Sequence, residues 1–445
     1  MKKMDSKWIE TYRNHADFSS SVESQLRADN IGSKKSLFFS DTTRNPDLLP
    51  TVDYKELNTE KFGLVRLRDA IEENEQNEIV RATYLPRIEE LIGDIAMLQA
   101  SSIGDTETFM EKNVESYGNV DPVIFNATLH HFREIAKQII EDTDSNISLS
   151  ISAKQVMDLL PDGASIFPEP GEHDFKRIQR LIKPQLHEMF TGITFPREIS
   201  GDSSMKLAQQ AMDNLGLGYN AVAQRKGLTT MSANHEDRQM KIPMSQSYDD
   251  RRFKGMLGHE GYVHINERMN GEKQPLQILS SGLAHYLGAS EGKGVLFEQV
   301  QYPSIDAFKK TQRFTDIARR YLSVGLSVGA DSNGGRDFVE VFSILNAVDF
   351  MMEMKNDSTD VSRAVKLAND RTWELMAMRT QRGYTGRGAA SMKDKIYAEA
   401  NPRQWDVVMK NPKLIPYLNV GKYDASNPDH LSIMNQIGAI PSDII

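Results

Sequence analysis

His259 and His264 stand five residues apart, with Glu260 directly after the first, and this spacing constrains the local fold more than any other feature of the chain. In an ideal α-helix each residue advances the side chain by about 100°, so residues five apart diverge by roughly 140° and cannot grip one ion. A π-type turn, with its i→i+5 ladder, restores a shared face, and such turns are frequent at functional sites. Gly261, next in the motif, eases that distortion. The spacing therefore predicts an over-wide helical turn across 259–264.

The residue types then suggest a chemistry. Two imidazoles and one carboxylate are a known set for a catalytic zinc, which keeps its fourth position for water. A glutamate beside the first histidine can take that water's proton and pass it to the leaving amine, the role expected of Glu260. The third ligand should lie downstream on another element. Glu267, Glu272, Glu291 and Glu298 are the candidates, with Glu291 favoured if a helical hairpin returns after the apolar stretch 278–287. The chain has ten histidines. His130 and His131 are adjacent and diverge on a helix, so they read as structural. His173, His187, His235 and His285 each lack a second histidine at ligand spacing and read as structural or surface residues.

Composition narrows the class. The chain has 445 residues, no cysteine, 26% charged side chains and a formal net charge of -9. Absence of cysteine excludes a disulfide framework, thiolate metal sites and a cysteine nucleophile. An acidic chain lacks the general basic face that phosphate neutralisation requires, so a nucleic-acid partner is not expected. No 18-residue apolar run occurs, and no apolar segment follows the first lysines, so neither a membrane span nor a signal peptide is expected. The reading is a cytoplasmic, soluble protein.

Residues 1–58 are polar and mixed and read as a loosely ordered or wrapping N-terminal arm. A helical region follows over 59–198, and a catalytic region over 199–445. Leu64, Leu67, Ile71, Ile79, Leu85, Ile88, Leu91 and Ile95 recur at helical steps, giving two helices broken near 73–78 or at Pro86. Helices are also expected over 122–142, 152–160 and 205–215. Segments 219–223 and 239–244 read as strands of a small sheet, with Pro243 at an edge or a strand end. The expected fold class is α+β, mostly helical with a small sheet, and the histidine motif, one residue longer than the zincin H-E-x-x-H, adds the expectation of a zincin-like metallopeptidase domain.

An ordered set of motifs resembles one family. These are Gly258 to His264, then Met269 to Leu276 (M-N-G-E-K-Q-P-L), then Ser290-Glu291-Gly292. Asp337 to Phe342, Arg382-Gly383, and Lys393-Asp394 with Tyr397 follow in order. Ser232-Ala233, Gly104 to Phe109 and Tyr117-Gly118 fit upstream. Together they resemble the tyrosine carboxypeptidase family of microtubule-associated metallopeptidases and their bacterial relatives, across about residues 60–435. The resemblance implies His259, His264 and Glu291 as ligands of one zinc ion and Glu260 as general base. It also implies roles near the site for Lys393, Tyr397 and Arg382. A tyrosine hydroxyl can donate to a developing oxyanion. A cation can pair with the substrate's C-terminal carboxylate, and the resemblance leaves open which one does. The implied substrate is a peptide or protein C-terminus, and animal members remove a C-terminal tyrosine from tubulin.

The chain departs from the family pattern at Lys293-Gly294, at the Gly-Tyr-Val interior of the histidine motif, and at Met392. Lys293 would put a charge near the site, and Tyr262 would narrow the pocket. Three alternatives stand beside this reading. One is a peptidase resembling dipeptidyl peptidase III, which needs a Glu-Glu pair after the motif that this chain lacks. The second is a metal-binding but catalytically inactive relative that only binds a partner, against which the intact Glu260 argues. The third is a structural or interaction protein without metal, against which Glu260 and the three intact ligand candidates argue.

Overall fold

The computed structural model describes residues 3–142, 146–224, 230–356 and 360–445. Helices dominate, and a small sheet lies in the middle of the sequence. The first helical pair is Tyr54–Asn74 and Glu78–Ser102. Between them Asn77 caps the second helix by accepting from the Ile79 amide. The break therefore falls at 75–77, where an N-cap starts a new helix. Pro86 lies inside the second helix without ending it. Helices Pro122–Glu141, Ile147–Leu159 and Gly201–Asn214 occupy the other segments with helical periodicity. Asp121 and Asn146 cap the first two.

The N-terminal arm wraps rather than hangs loose. It carries the helices Ile9–Gln25 and Ile31–Ser40. Tyr12, Leu26 and Phe38 are buried in the same apolar cluster as Ile88, Phe297 and Trp405. Asp5, fully buried, accepts from the Tyr84 hydroxyl and the Ile278 amide. Lys3 donates to the Glu272 and Gln274 carbonyls.

Three strands form the sheet: Asn220–Gln224, Gln239–Pro243 and Ser232–Asn234. Gln239–Pro243 is central, parallel to Asn220–Gln224 and antiparallel to Ser232–Asn234. Pro243 therefore ends a central strand instead of marking an edge. Ile199–Ser200 and Ser247–Tyr248 make a separate antiparallel pair. Below the sheet a second apolar cluster joins Met189, Met212, Met240, Ile242, Phe253 and Leu257.

The histidine motif lies at the seam of these two clusters. Val263 packs into the large helical cluster, while Leu257 and Ile265 pack into the cluster below the sheet. The apolar residues flanking the motif are thus anchored on both sides. Among the described residues, no helix is long and apolar enough to cross a membrane.

Candidate metal and active site

Gly258–Ile265 is a π-helix, continued from the α-helix Asp250–Leu257 and into Asn266–Lys273. The wide turn brings the His259 and His264 rings to a centroid separation of 4.8 Å. The Tyr262 carbonyl accepts from the Asn419 side chain at 3.2 Å, so the widened backbone does not stand unsupported. Gly261 serves packing as well as backbone freedom. A Cβ there would stand 2.6 Å from Met189 Cε, in the cluster below the sheet.

The helix Leu287–Gln299 packs directly over the π-helix. Glu291, Gly294 and Glu298 occupy positions i, i+3 and i+7, which share one helix face. That face meets His259. Glu291 Oε2 lies 3.2 Å from His259 Nε2 and 3.5 Å from His264 Nε2. Ligand atoms of His259, His264 and Glu291 all lie within 4.8 Å of one another, close enough to share one ion. Gly294 is required here, because a Cβ would collide with the His259 ring.

Of the other carboxylates considered for the third position, Glu298 takes the opposite nitrogen of His259, with Nδ1 to Oε1 at 2.6 Å. Arg313 donates to Glu298 through Nε and Nη2 at 2.8–3.1 Å. Glu267 is fully buried beneath the site and pairs with Lys293. Glu272 faces Arg238 and Arg268.

The electrostatics follow from this packing. Burial disfavours the charged His259 ring, but hydrogen bonds to Glu291 and Glu298 outweigh it and raise the group to about 10. Burial would likewise raise Glu298, yet Arg313 and His259 hold it down to about 2. Glu291 is held well below the ordinary carboxylate range because the two imidazoles outweigh its burial. Glu260 goes the other way. Burial raises it above the ordinary value, despite the nearby histidines.

The site opens into a cleft of about 1200 Å³. One wall carries the strand Ser232–Asn234 and His235. The other carries Arg313, Arg320, Arg379, Lys393 and Tyr397. Tyr397 lies between two cations, with the Arg320 and Arg313 guanidiniums 5.2 and 5.6 Å from its ring centre. Burial and the Glu291 carboxylate push its hydroxyl well above the ordinary value, so it stays a donor. Asp394 is the hub of this wall. Arg382 Nη2 donates to it at 3.0 Å, and Arg320 and Arg379 stand 3.7 and 4.0 Å away. Burial would raise Asp394, but these guanidiniums keep it below the ordinary value. Burial lowers Lys393 to about 8.

All seven residues singled out in the sequence thus line this cleft. Arg382 is the most enclosed of them, 2% exposed and paired with Asp394. Arg313, Arg320, Arg379 and His235 carried no sequence signal of a site role, and the structure adds them. Two expected effects are absent. Lys293 does not charge the cleft, because it points beneath the site to Glu267 and the Leu418 carbonyl. Tyr262 does not narrow it. That ring packs against Phe297, and its hydroxyl donates to Gln185. His131 is half-buried against Phe132 and Phe314, lowered by burial to about 4.

A family model described as microtubule-associated tyrosine carboxypeptidase matches residues 181–442, which include every residue of this cleft's metal and cation clusters. No curated protein and no solved structure matches the chain.

Proposed function

The chain belongs to the microtubule-associated tyrosine carboxypeptidase family, and on that premise we propose that it is a zinc-dependent carboxypeptidase with His259, His264 and Glu291 as ligands. Membership makes it a peptidase of carboxypeptidase type that acts on a peptide or protein. The observation that carries the metal is the convergence of two imidazole nitrogens and one carboxylate oxygen within 4.8 Å. This donor set fits zinc, and the hydrogen bond from each ring's other nitrogen leaves both Nε2 atoms facing Glu291. When bound, zinc would polarise the scissile carbonyl and make its water acidic enough to ionise near neutrality.

The chain's own residues would do the rest. Glu260, raised by burial, is suited to take the water's proton on its carboxylate and return it to the leaving amine. Tyr397 is a protonated donor beside the site, suited to the oxyanion that develops on the scissile carbonyl. Three guanidiniums surround the single carboxylate of Asp394, which leaves positive charge on that wall for a substrate's terminal carboxylate. Arg320 and Arg379 are proposed to bind it, together with Lys393. Arg382 holds Asp394, and through it the wall. The family description favours a C-terminal tyrosine as the residue removed, and tubulin as one protein to try.

The test compares peptides ending in a free tyrosine with their C-terminal amides. The zinc-loaded protein should release tyrosine from the first only. Glu260→Gln should lower turnover by about 10²–10⁴-fold, the range of a general base, with zinc content unchanged. Zinc uptake without release of any C-terminal residue would favour a partner-binding relative instead.

A further inference from the structure

Beneath His264 runs a polar chain that neither the proposed ligand set nor the general base uses. His264 Nδ1 lies 3.0 Å from Ser290 Oγ. Ser290 donates its hydroxyl proton to Glu267 Oε2 at 2.6 Å. Glu267 Oε1 pairs with the Lys293 ammonium. Lys293 also donates to the Leu418 and Tyr423 carbonyls, at 2.9 and 3.4 Å. Glu267 and Lys293 are 0% exposed and Ser290 is 1% exposed.

The direction of this chain is forced. A carboxylate only accepts, and a serine hydroxyl has one proton. Because Ser290 gives that proton to Glu267, its oxygen is left to accept from His264. His264 then donates from Nδ1, and Nε2 is the nitrogen turned toward Glu291 and the proposed metal position. Ser290 and Lys293 are i and i+3 on the helix that supplies Glu291, so one element delivers a ligand and the support of another ligand.

We infer that Glu267, acting through Ser290 and held as an acceptor by Lys293, is a positioning residue that sets the tautomer and ring orientation of His264 for metal binding. The inference rests on the metallopeptidase reading above. It assigns to a buried ion pair, which otherwise looks purely structural, a measurable share of the site's metal affinity.

The experiment measures zinc affinity by competition with a chromogenic chelator, alongside the visible spectrum of the cobalt-loaded protein. Ser290→Ala removes only the relay hydroxyl. Its zinc affinity should fall about ten- to a hundredfold, while the metal-free protein melts near the wild-type temperature. The double variant Glu267→Leu, Lys293→Met removes both buried charges at similar volume, a change that is often neutral or stabilising. It should melt at or above the wild-type temperature without metal, yet bind zinc as weakly as Ser290→Ala and show an altered cobalt spectrum. A purely structural pair would move the melting temperature and leave affinity alone. Wild-type affinity in either variant overturns the inference while the metal site stands. A wild-type protein that takes up no zinc overturns both.

Discussion

His259 Nδ1 and Glu298 Oε1 lie 2.6 Å apart, though 39 residues separate them in the chain. Glu298 in turn is gripped by Arg313 through two nitrogens. Glu298, one of the carboxylates at ligand distance in sequence, instead holds the far nitrogen of His259, a proposed ligand. A histidine whose second nitrogen is held this way presents a fixed ring and a more basic donor atom to a metal.

Glu298→Gln should therefore weaken zinc binding by about ten- to a hundredfold, without removing a ligand. Chelator competition measures this directly. Unchanged affinity would mean that the contact serves only the packing of Arg313.

Gly294→Ala tests the same histidine from another side. The added methyl collides with the His259 ring, which Glu298 prevents from moving aside. Overpacking of this kind costs about 1–3 kcal/mol. The expected result is a lower melting temperature together with loss of zinc, whereas Gly288→Ala, whose Cβ would only touch Ala400, should change neither.

Lys393 gives the cleft a pH dependence. Burial lowers it from its ordinary value to about 8. The folded state thus binds fewer protons than the unfolded state between about pH 8 and 10.5, and stability rises with pH across that window. Below pH 8 the charged lysine destabilises the fold, by on the order of 3 kcal/mol. Lys393→Met should melt at a higher temperature at pH 7 and have a raised KM. In the wild type, KM for a peptide with a free C-terminus should climb above pH 8 as the ammonium is lost. Lys393→Arg should flatten that rise, since a guanidinium does not titrate there. A KM independent of pH from 7 to 9 in both proteins would remove Lys393 from substrate binding.

Arg320→Ala should raise KM for free C-terminal peptides by about 10–100-fold, the worth of one hydrogen bond to a charged group. Affinity for zinc should not change. If KM is unmoved, the terminal carboxylate binds elsewhere in the cleft.

The helical character, the broken pair at 54–102, the strand segments and the π-turn are legible in the local sequence. These depend on local periodicity, caps and the five-residue spacing, which act within a few residues of chain. His259, Glu260 and His264 were legible for the same reason, because one turn of backbone sets their geometry. Glu291, Lys393, Tyr397 and Arg382 came from motif order rather than from geometry.

Long-range packing, by contrast, settled which carboxylate meets which nitrogen. Glu267, Glu291 and Glu298 are chemically alike, yet packing of Leu287–Gln299 on the π-helix sets Glu291 and Glu298 against opposite nitrogens of His259 and buries Glu267, on Asn266–Lys273, against Lys293. It also decided that Lys293 points away from the cleft, and that Arg313, Arg320 and Arg379 point into it. Those outcomes depend on contacts between segments far apart in the chain. Burial then raises Glu260 and lowers Lys393 from their ordinary values, and burial is a property of the assembled fold that no local window of sequence contains.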